Sequence, residues 1–204
     1  MANPLMVSTS TSGTSETPGT PASGDDVYLL SLCAAGDTAA LGALFDRHAT
    51  ALRRFLARFS SSLDSSADLD DLVQSTFLEV FRGAAKFRGQ SAVRTWLLGI
   101  AVNVCRHRQR SDARKRLFLV AWARHEGSER TRSDEVFHSR LLASDIDAAV
   151  AGLSPKLRAA FLLCDVEELT GQEAAEVLGL PAGTVGRHLH EARLTLRAAL
   201  GDKR

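Results

Sequence analysis

Residues 169–193 read LTGQEAAEVLGLPAGTVGRHLHEAR, and the reading of this stretch decides the fold class. Thr170 and Glu173 have the S/T-x-x-E spacing of a capping box, so a helix has a defined start there. Gly179 can adopt the left-handed conformation that ends it. Pro181 cannot extend that helix but suits the first turn of a new one. Val185, Leu189, Ala192 and Leu196 then recur at helical spacing and form one apolar stripe. Thr184, Arg187, His188 and Glu191 fall on a different face. A helix-turn-helix offers such a second face to a DNA groove. Two short helices with a tight turn also occur in helical domains that bind no DNA, so the rest of the chain has to decide.

With 204 residues the chain has room for one or two small domains. Its net charge of +1 is uninformative, but the distribution of charge is not. Between Lys86 and Arg116 there are nine basic side chains against one acid, Asp112. A solvated basic face and a footprint for a phosphate backbone both fit such a run. The cysteines, Cys33, Cys105 and Cys164, are few and far apart, with no zinc-ligand spacing. Their apolar neighbours suggest buried free thiols, which suits a reducing cytoplasm. No apolar run reaches the roughly 20 residues of a membrane span, and the N-terminus lacks a signal-peptide pattern.

Residues 1–24 are mostly Ser, Thr, Pro and Gly and predict a disordered tail, because they cannot bury enough to offset ordering entropy. Helical pattern begins near Asp25. After the break at Gly36, Asp37 caps a longer helix bearing Leu44, Leu52, Phe55 and Leu56. Residues 60–66 read as a polar loop. A third helix is expected from Asp70 or Asp71, with Leu72, Val73, Phe77 and Val80 inward and Asp71, Gln74, Ser75, Glu79 and Arg82 outward. The loop Lys86-Phe87-Arg88-Gly89-Gln90-Ser91 follows, with Ser91 as a plausible N-cap for a fourth helix. On that helix Asn103, Arg106, His107 and Arg110 share a face at i, i+3, i+4 and i+7. Residues 113–144 read as a linker with a helical start, and their apolar run LFLVAWA is expected to pack back onto the first domain, with a partner-binding surface as the alternative. Beyond it, Ser154-Pro155 opens a helix with Leu157, Ala160, Phe161 and Cys164 inward. Nothing alternates with period two. The expected fold is all-α: two small helical domains, 25–112 and 145–204, joined by a flexible linker.

The segments QSTFLEVFRGAAKFRG, RTWLLGIAVNVCRHRQR and LSPKLRAAFLLCDVEELTGQEAAEVLGLPAGTV together resemble the bacterial extracytoplasmic-function (ECF) sigma factors, compact two-domain members of the sigma-70 family. The resemblance covers most of residues 25–111 and 145–200, and the order and spacing of the motifs carry it. It implies a protein that binds core RNA polymerase and directs it to promoter DNA. The helix matching Asp71, Gln74, Glu79 and Arg82 would dock on the clamp helices of the largest catalytic subunit. Its mixed acid and amide face can pair with a helix without burying a lone charge.

In the family the loop matching Lys86, Phe87, Arg88, Gln90 and Ser91 captures an unstacked base of the non-template strand. A flipped base needs a π-face or guanidinium to stack on and polar groups to read its edge. Asn103 matches the position that reads the proximal promoter element, and an Asn amide can pair bidentately with adenine. Arg106, His107 and Arg110 would accompany it, with Arg106, Arg108 and Arg110 expected on phosphates. Trp96 is expected to pack under the loop. The distal element would fall to Thr184, Arg187, His188 and Glu191. No catalytic residue, cofactor or metal is expected, because strand binding offsets the cost of unstacking without bond chemistry. The resemblance also admits an anti-sigma partner, and implies no membrane contact.

The chain departs from the family at its distal face. Usual basic positions are here Gly186 and Glu191, a third is His188, and Arg187 restores charge elsewhere. The usual Leu-Pro carries an insertion, Leu153-Ser154-Pro155. Two other functions therefore stay open: a helix-turn-helix regulator that works without polymerase, and a degenerate relative that binds a protein partner and holds DNA weakly.

Overall fold

The computed structural model describes residues 23–60, 65–126 and 145–201, and every regular element among them is helical. The N-terminal part comprises α1 (Ser23–Ala34), α2 (Thr38–Phe59), α3 (Ser66–Gly83), a 3₁₀ turn (Ala84–Lys86) and α4 (Val93–Glu126). The C-terminal part comprises α5 (Asp145–Gly152), α6 (Pro155–Phe161), a π-helical turn (Leu162–Val166), α7 (Gly171–Leu178) and α8 (Ala182–Gly201). Most of the expected tail and the later part of the expected linker lie outside the described residues.

Asp37 caps α2 by accepting from the backbone N–H groups of Ala39 and Ala40, at 2.8 and 3.2 Å. Leu44, Phe55 and Leu56 of α2 then meet Leu69, Leu72 and Val80 of α3 and Leu97 and Val102 of α4 in the core. The buried carboxylate of Asp26 is held by Arg47 at 2.9 Å and His48 at 2.8 Å, which fastens α1 to α2. A buried charge is tolerated when it is partnered in this way.

Several helix boundaries differ from the sequence reading. α3 starts at Ser66, ahead of Asp70, because Ser65 accepts from the Asp68 N–H at 3.1 Å and caps it. The serines read as loop are therefore partly a helix start. Ser91 is not the N-cap of α4: the Ala92 carbonyl accepts its first bond, from the Trp96 N–H at 3.1 Å. α4 is 34 residues long and passes unbroken through residue 112, where a linker was expected to begin. It outruns the 22 residues of α2 and the 18 of α3. In the run expected to pack back, Leu117, Phe118, Leu119 and Trp122 are exposed instead, Phe118 at 70% and Trp122 at 56%.

In the C-terminal part the π turn shifts the helical register. Leu157 and Ala160 are buried, but Leu162 and Leu163 complete the inward face, and Phe161 and Cys164 are only half-buried. Arg158, 4% exposed, donates to the carbonyls of Val150 at 3.1 Å and Leu153 at 2.9 Å, and also to Ala151. It thereby satisfies the carbonyls that end α5. The capping box of α7 is complete: Glu173 N–H donates to Thr170 Oγ1 at 3.2 Å, and Thr170 N–H to Glu173 Oε2 at 2.9 Å. Gly179 closes α7 with φ 65°. The Pro181 carbonyl accepts from Thr184 and Val185, so Pro181 stands just before α8 and not in its first turn. Val185, Ala192 and Leu196 are buried and Leu189 half-buried, which is the expected stripe.

The two parts touch. α4 crosses α7 closely enough that a Cβ on Gly99 would lie 3.9 Å from Val177, and Arg58 Nε of α2 donates to Asp147 of α5 at 2.9 Å.

Candidate nucleic-acid interface

The loop after the 3₁₀ turn folds back over the first turns of α4. Gly89, with φ 67°, makes the bend, a conformation that favours glycine. Phe87 rests half-buried on Trp96, ring centroids 5.4 Å apart and edge to face. Trp96 also lies under Gly83, where a Cβ would come within 3.5 Å of its ring. The tryptophan thus supports the loop from below. Above it opens a cavity of about 340 Å³ bordered by Lys86, Phe87, Arg88, Gln90 and Ser91 from the loop and by Trp96 and Asn103 from α4. Residues more than ten apart in sequence are brought to one concavity containing two aromatic side chains, two cations and several hydrogen-bonding groups.

The basic face of α4 is not uniform. Asn103, His107 and Arg110 are exposed. Arg106 is half-buried and donates to the Leu178 carbonyl at 3.1 Å. Burial, and then the nearby Arg110, lower its pKa. Arg108 is spent on Asp68 of α3 and lies 3.8 Å from Asp112. The charge run of the sequence therefore divides into free cations and cations committed to internal partners.

On α3, Asp71, Gln74, Glu79 and Arg82 are all exposed, with Arg82 donating to Glu79 at 2.8 Å. Leu78, 53% exposed, sits among them and was not singled out in the sequence, although an outward leucine amid polar residues was the available signal. A second cavity, of about 750 Å³, lies between α3 and α4 and is bordered by Leu78, Glu79, Arg82, Asn103 and His107. It joins the outward face of α3 to the side of α4 that bears Asn103 and His107.

The face of α8 is poorer. Arg187 and Glu191 are exposed, and Thr184 and His188 half-buried. The Nδ1 of His188 is sealed from solvent without a hydrogen-bond partner. Arg193 is drawn aside by Asp165 in two hydrogen bonds, 2.9 and 2.5 Å, which raise its pKa. Among the described residues no cluster of three or more His, Cys, Asp or Glu side chains could hold a metal ion, and no helix is long and apolar enough to cross a membrane. Cys33 and Cys105 are buried and Cys164 half-buried, and burial pushes all three thiols up.

A helical N-terminal part with a loop-and-helix concavity, followed by a helix-turn-helix, is the architecture of sigma-70-type transcription factors. Residues 44–115 match the family model for sigma-70 region 2, and residues 143–196 that for sigma-70 region 4. The chain is 34% identical over 176 residues to the ECF RNA polymerase sigma factor SigM of Mycobacterium tuberculosis, covering 86% of this chain and 85% of that one. It is 32% identical over 168 residues to the ECF sigma factor SigE of Mycolicibacterium smegmatis, covering 80% of this chain but only 64% of that longer relative. Among solved structures it resembles CnrH in complex with the cytosolic domain of CnrY, with TM-score 0.62, 26% identity, and 88% and 99% of the two chains covered. It also resembles the sigma factor RpoE of Bartonella quintana in complex with the anti-sigma factor NepR, with TM-score 0.56, 27% identity, and 76% and 92% covered. The chain belongs to the ECF sigma factors of the sigma-70 family, the RNA polymerase subunits of transcription initiation.

Proposed function

We propose that this chain directs core RNA polymerase to promoters in the cytoplasm and opens them by binding the unstacked non-template strand. Residues 25–112 act as the polymerase-binding and proximal-element domain, and residues 145–204 as the distal-element domain. Asp71, Gln74, Glu79 and Arg82 face the clamp helices of the largest catalytic subunit. Their exposure and mixed charge suit a helical partner.

The observation that carries the reading is the cavity above Trp96. Phe87 and Arg88 offer π and guanidinium surfaces to a base. Gln90, Ser91 and Asn103 offer donors and acceptors to its edge. Arg110 and, once free of Leu178, Arg106 neutralise phosphates; His107 adds a polar contact beside them. Unstacking costs a few kcal/mol per step, and strand binding offsets it, so the protein itself makes and breaks no covalent bond. The distal element is left to Thr184, Arg187, His188 and Glu191. The complex of the structural neighbour RpoE with the anti-sigma factor NepR supports an anti-sigma partner for this chain as well.

Reconstitution with core polymerase on a genomic promoter pool tests the proposal. Specific transcripts are expected. Specific DNA binding without core would favour a polymerase-independent regulator. Neither outcome would leave a protein-binding relative.

A further inference from the structure

The cavity above Trp96 and the groove between α3 and α4 share a wall. Lys86, Trp96, Ile100 and Asn103 border both of them. Lys86 and Asn103 are exposed, while Trp96 and Ile100 are half-buried. Beyond this wall the groove, of about 750 Å³, is closed by α3, which contributes Ser75, Leu78 and Glu79. Leu78 is exposed and Val104 of α4 half-buried, so with Trp96 and Ile100 they give the groove an apolar lining set with a few polar groups. Such a lining and volume suit a planar organic ring.

Consecutive bases of an unstacked strand splay apart, and two concavities flanking one wall of side chains match that arrangement. Lys86 borders both, where its ammonium can neutralise the phosphate that links two nucleotides. Glu79 Oε1 accepts from Arg82 at 2.8 Å, which leaves Oε2 to accept from a ligand. A carboxylate recognises an exocyclic amine, such as N4 of cytosine, whereas O4 of thymine would be set against it. We propose that the α3–α4 groove is a second base pocket. It takes the nucleotide adjacent to the one held above Trp96, with Lys86 on the phosphate between them and Glu79 selecting a base that bears an exocyclic amine. Continuity of the groove with the first cavity, and not its volume alone, argues for this occupant. The inference rests on the reading of residues 86–91 and Asn103 as a strand-binding site. It gives α3 a part in reading the strand as well as in docking on polymerase.

An abasic scan tests it. The full chain assembled with core polymerase binds a fluorescent single-stranded DNA oligonucleotide bearing the non-template sequence of a promoter from the reconstitution pool. Single abasic sites are introduced one position at a time. Two adjacent positions should each lose about tenfold in affinity, the scale of one stacked base. Val104 borders the groove but not the cavity above Trp96. Val104→Trp, its fold checked by circular dichroism, should therefore abolish the loss at one of the two positions and keep it at the other. A single sensitive position, or a Val104→Trp variant that keeps both losses, overturns the inference and leaves the groove to another occupant. A second measurement does not depend on filling the groove. The wild type should bind thymine at the groove position several-fold more weakly than cytosine. Glu79→Gln, whose amide offers a donor beside its acceptor, should bring that ratio to about one. The ratio is taken within each protein, so the tightness of polymerase docking does not enter it, and a ratio that Glu79→Gln leaves unchanged overturns the inference. If no abasic position matters in any form, the strand-binding reading itself falls and this inference with it.

Discussion

Around Trp96, a supported loop and one helix gather Lys86, Phe87, Arg88, Gln90, Ser91 and Asn103 about a cavity. On α8, by contrast, the scaffold is complete but its contact side chains are thinned. The capping box, the left-handed Gly179 and the stripe at Val185, Ala192 and Leu196 are all in place. Yet Glu191 is exposed, His188 half-buried, and Arg193 tied to Asp165. The difference teaches that a helix-turn-helix is specified by its capping and packing residues, separately from the side chains on its outer face. Its presence dates from packing requirements, whereas its affinity depends on a few surface positions that can change without harming the fold.

The largest expected effect lies in the scaffold of the C-terminal part. Arg158 satisfies three carbonyls from a buried position, and burial lowers its pKa, so its guanidinium has no cheap substitute. Arg158→Met should destabilise this part by about 3 kcal/mol, because the carbonyls are left buried and unpaired. Urea denaturation followed by circular dichroism would read it. A loss under 1 kcal/mol would mean that water reaches the end of α5 and that the scaffold is less dependent on this side chain than its geometry suggests.

Next comes the cavity. Asn103→Ala should weaken use of the proximal element by about 2 kcal/mol, or roughly 30-fold, the scale of one bidentate amide–base pair. The loss should be specific to promoters with adenine at the contacted position. A uniform loss across sequences would reassign Asn103 to phosphate positioning. The variant Arg187→Ala on α8 should cost much less, and equal costs would break the contrast between the two surfaces.

A smaller effect belongs to the capping box. Thr170→Ala should cost about 1 kcal/mol of stability. The Glu173 carboxyl is held below its usual range, first by the Thr170 backbone N–H and then by the Thr170 hydroxyl. A depressed folded pKa means that this contribution is present above the ordinary carboxylate pKa and is lost as pH falls through the folded value. The difference between wild type and Thr170→Ala should therefore shrink in acid. A difference that stays constant from neutral pH to well below the ordinary carboxylate range would show that the carboxylate is not part of the cap.

The helix-turn-helix was legible in the sequence because each of its signals is local: a capping pair, a left-handed glycine, a proline and a 3.6-residue stripe. The outward residues of α3 were legible for the same reason. What periodicity missed depends on distant partners. At the π turn Leu162–Val166 the buried positions are Leu162 and Leu163 in place of Phe161 and Cys164, and nothing in the local pattern marks such a turn. The exposed Phe118 and Trp122 looked like core because hydrophobicity cannot tell how far a helix outruns its neighbours. The commitment of Arg106 and Arg94 to the C-terminal part was invisible, because their partners lie more than 70 residues away.

The smallest effect, and the sharpest test of the contrast, is at Glu191. It stands exposed on the α8 face, where a carboxylate repels phosphate. Glu191→Arg removes one repulsion and adds one cation, so duplex binding at the distal element should rise a few-fold at low salt. The salt dependence should steepen by about one unit of log–log slope, the signature of one more neutralised phosphate. The gain should fade as salt is raised, because an exposed charge is screened over about a Debye length. A gain that survives high salt would mean that Glu191 opposes binding by shape or by a specific base clash. No gain at any salt concentration would place Glu191 away from the duplex, and the poverty of the α8 face would then have to be explained by Gly186 and the sequestered Arg193 alone.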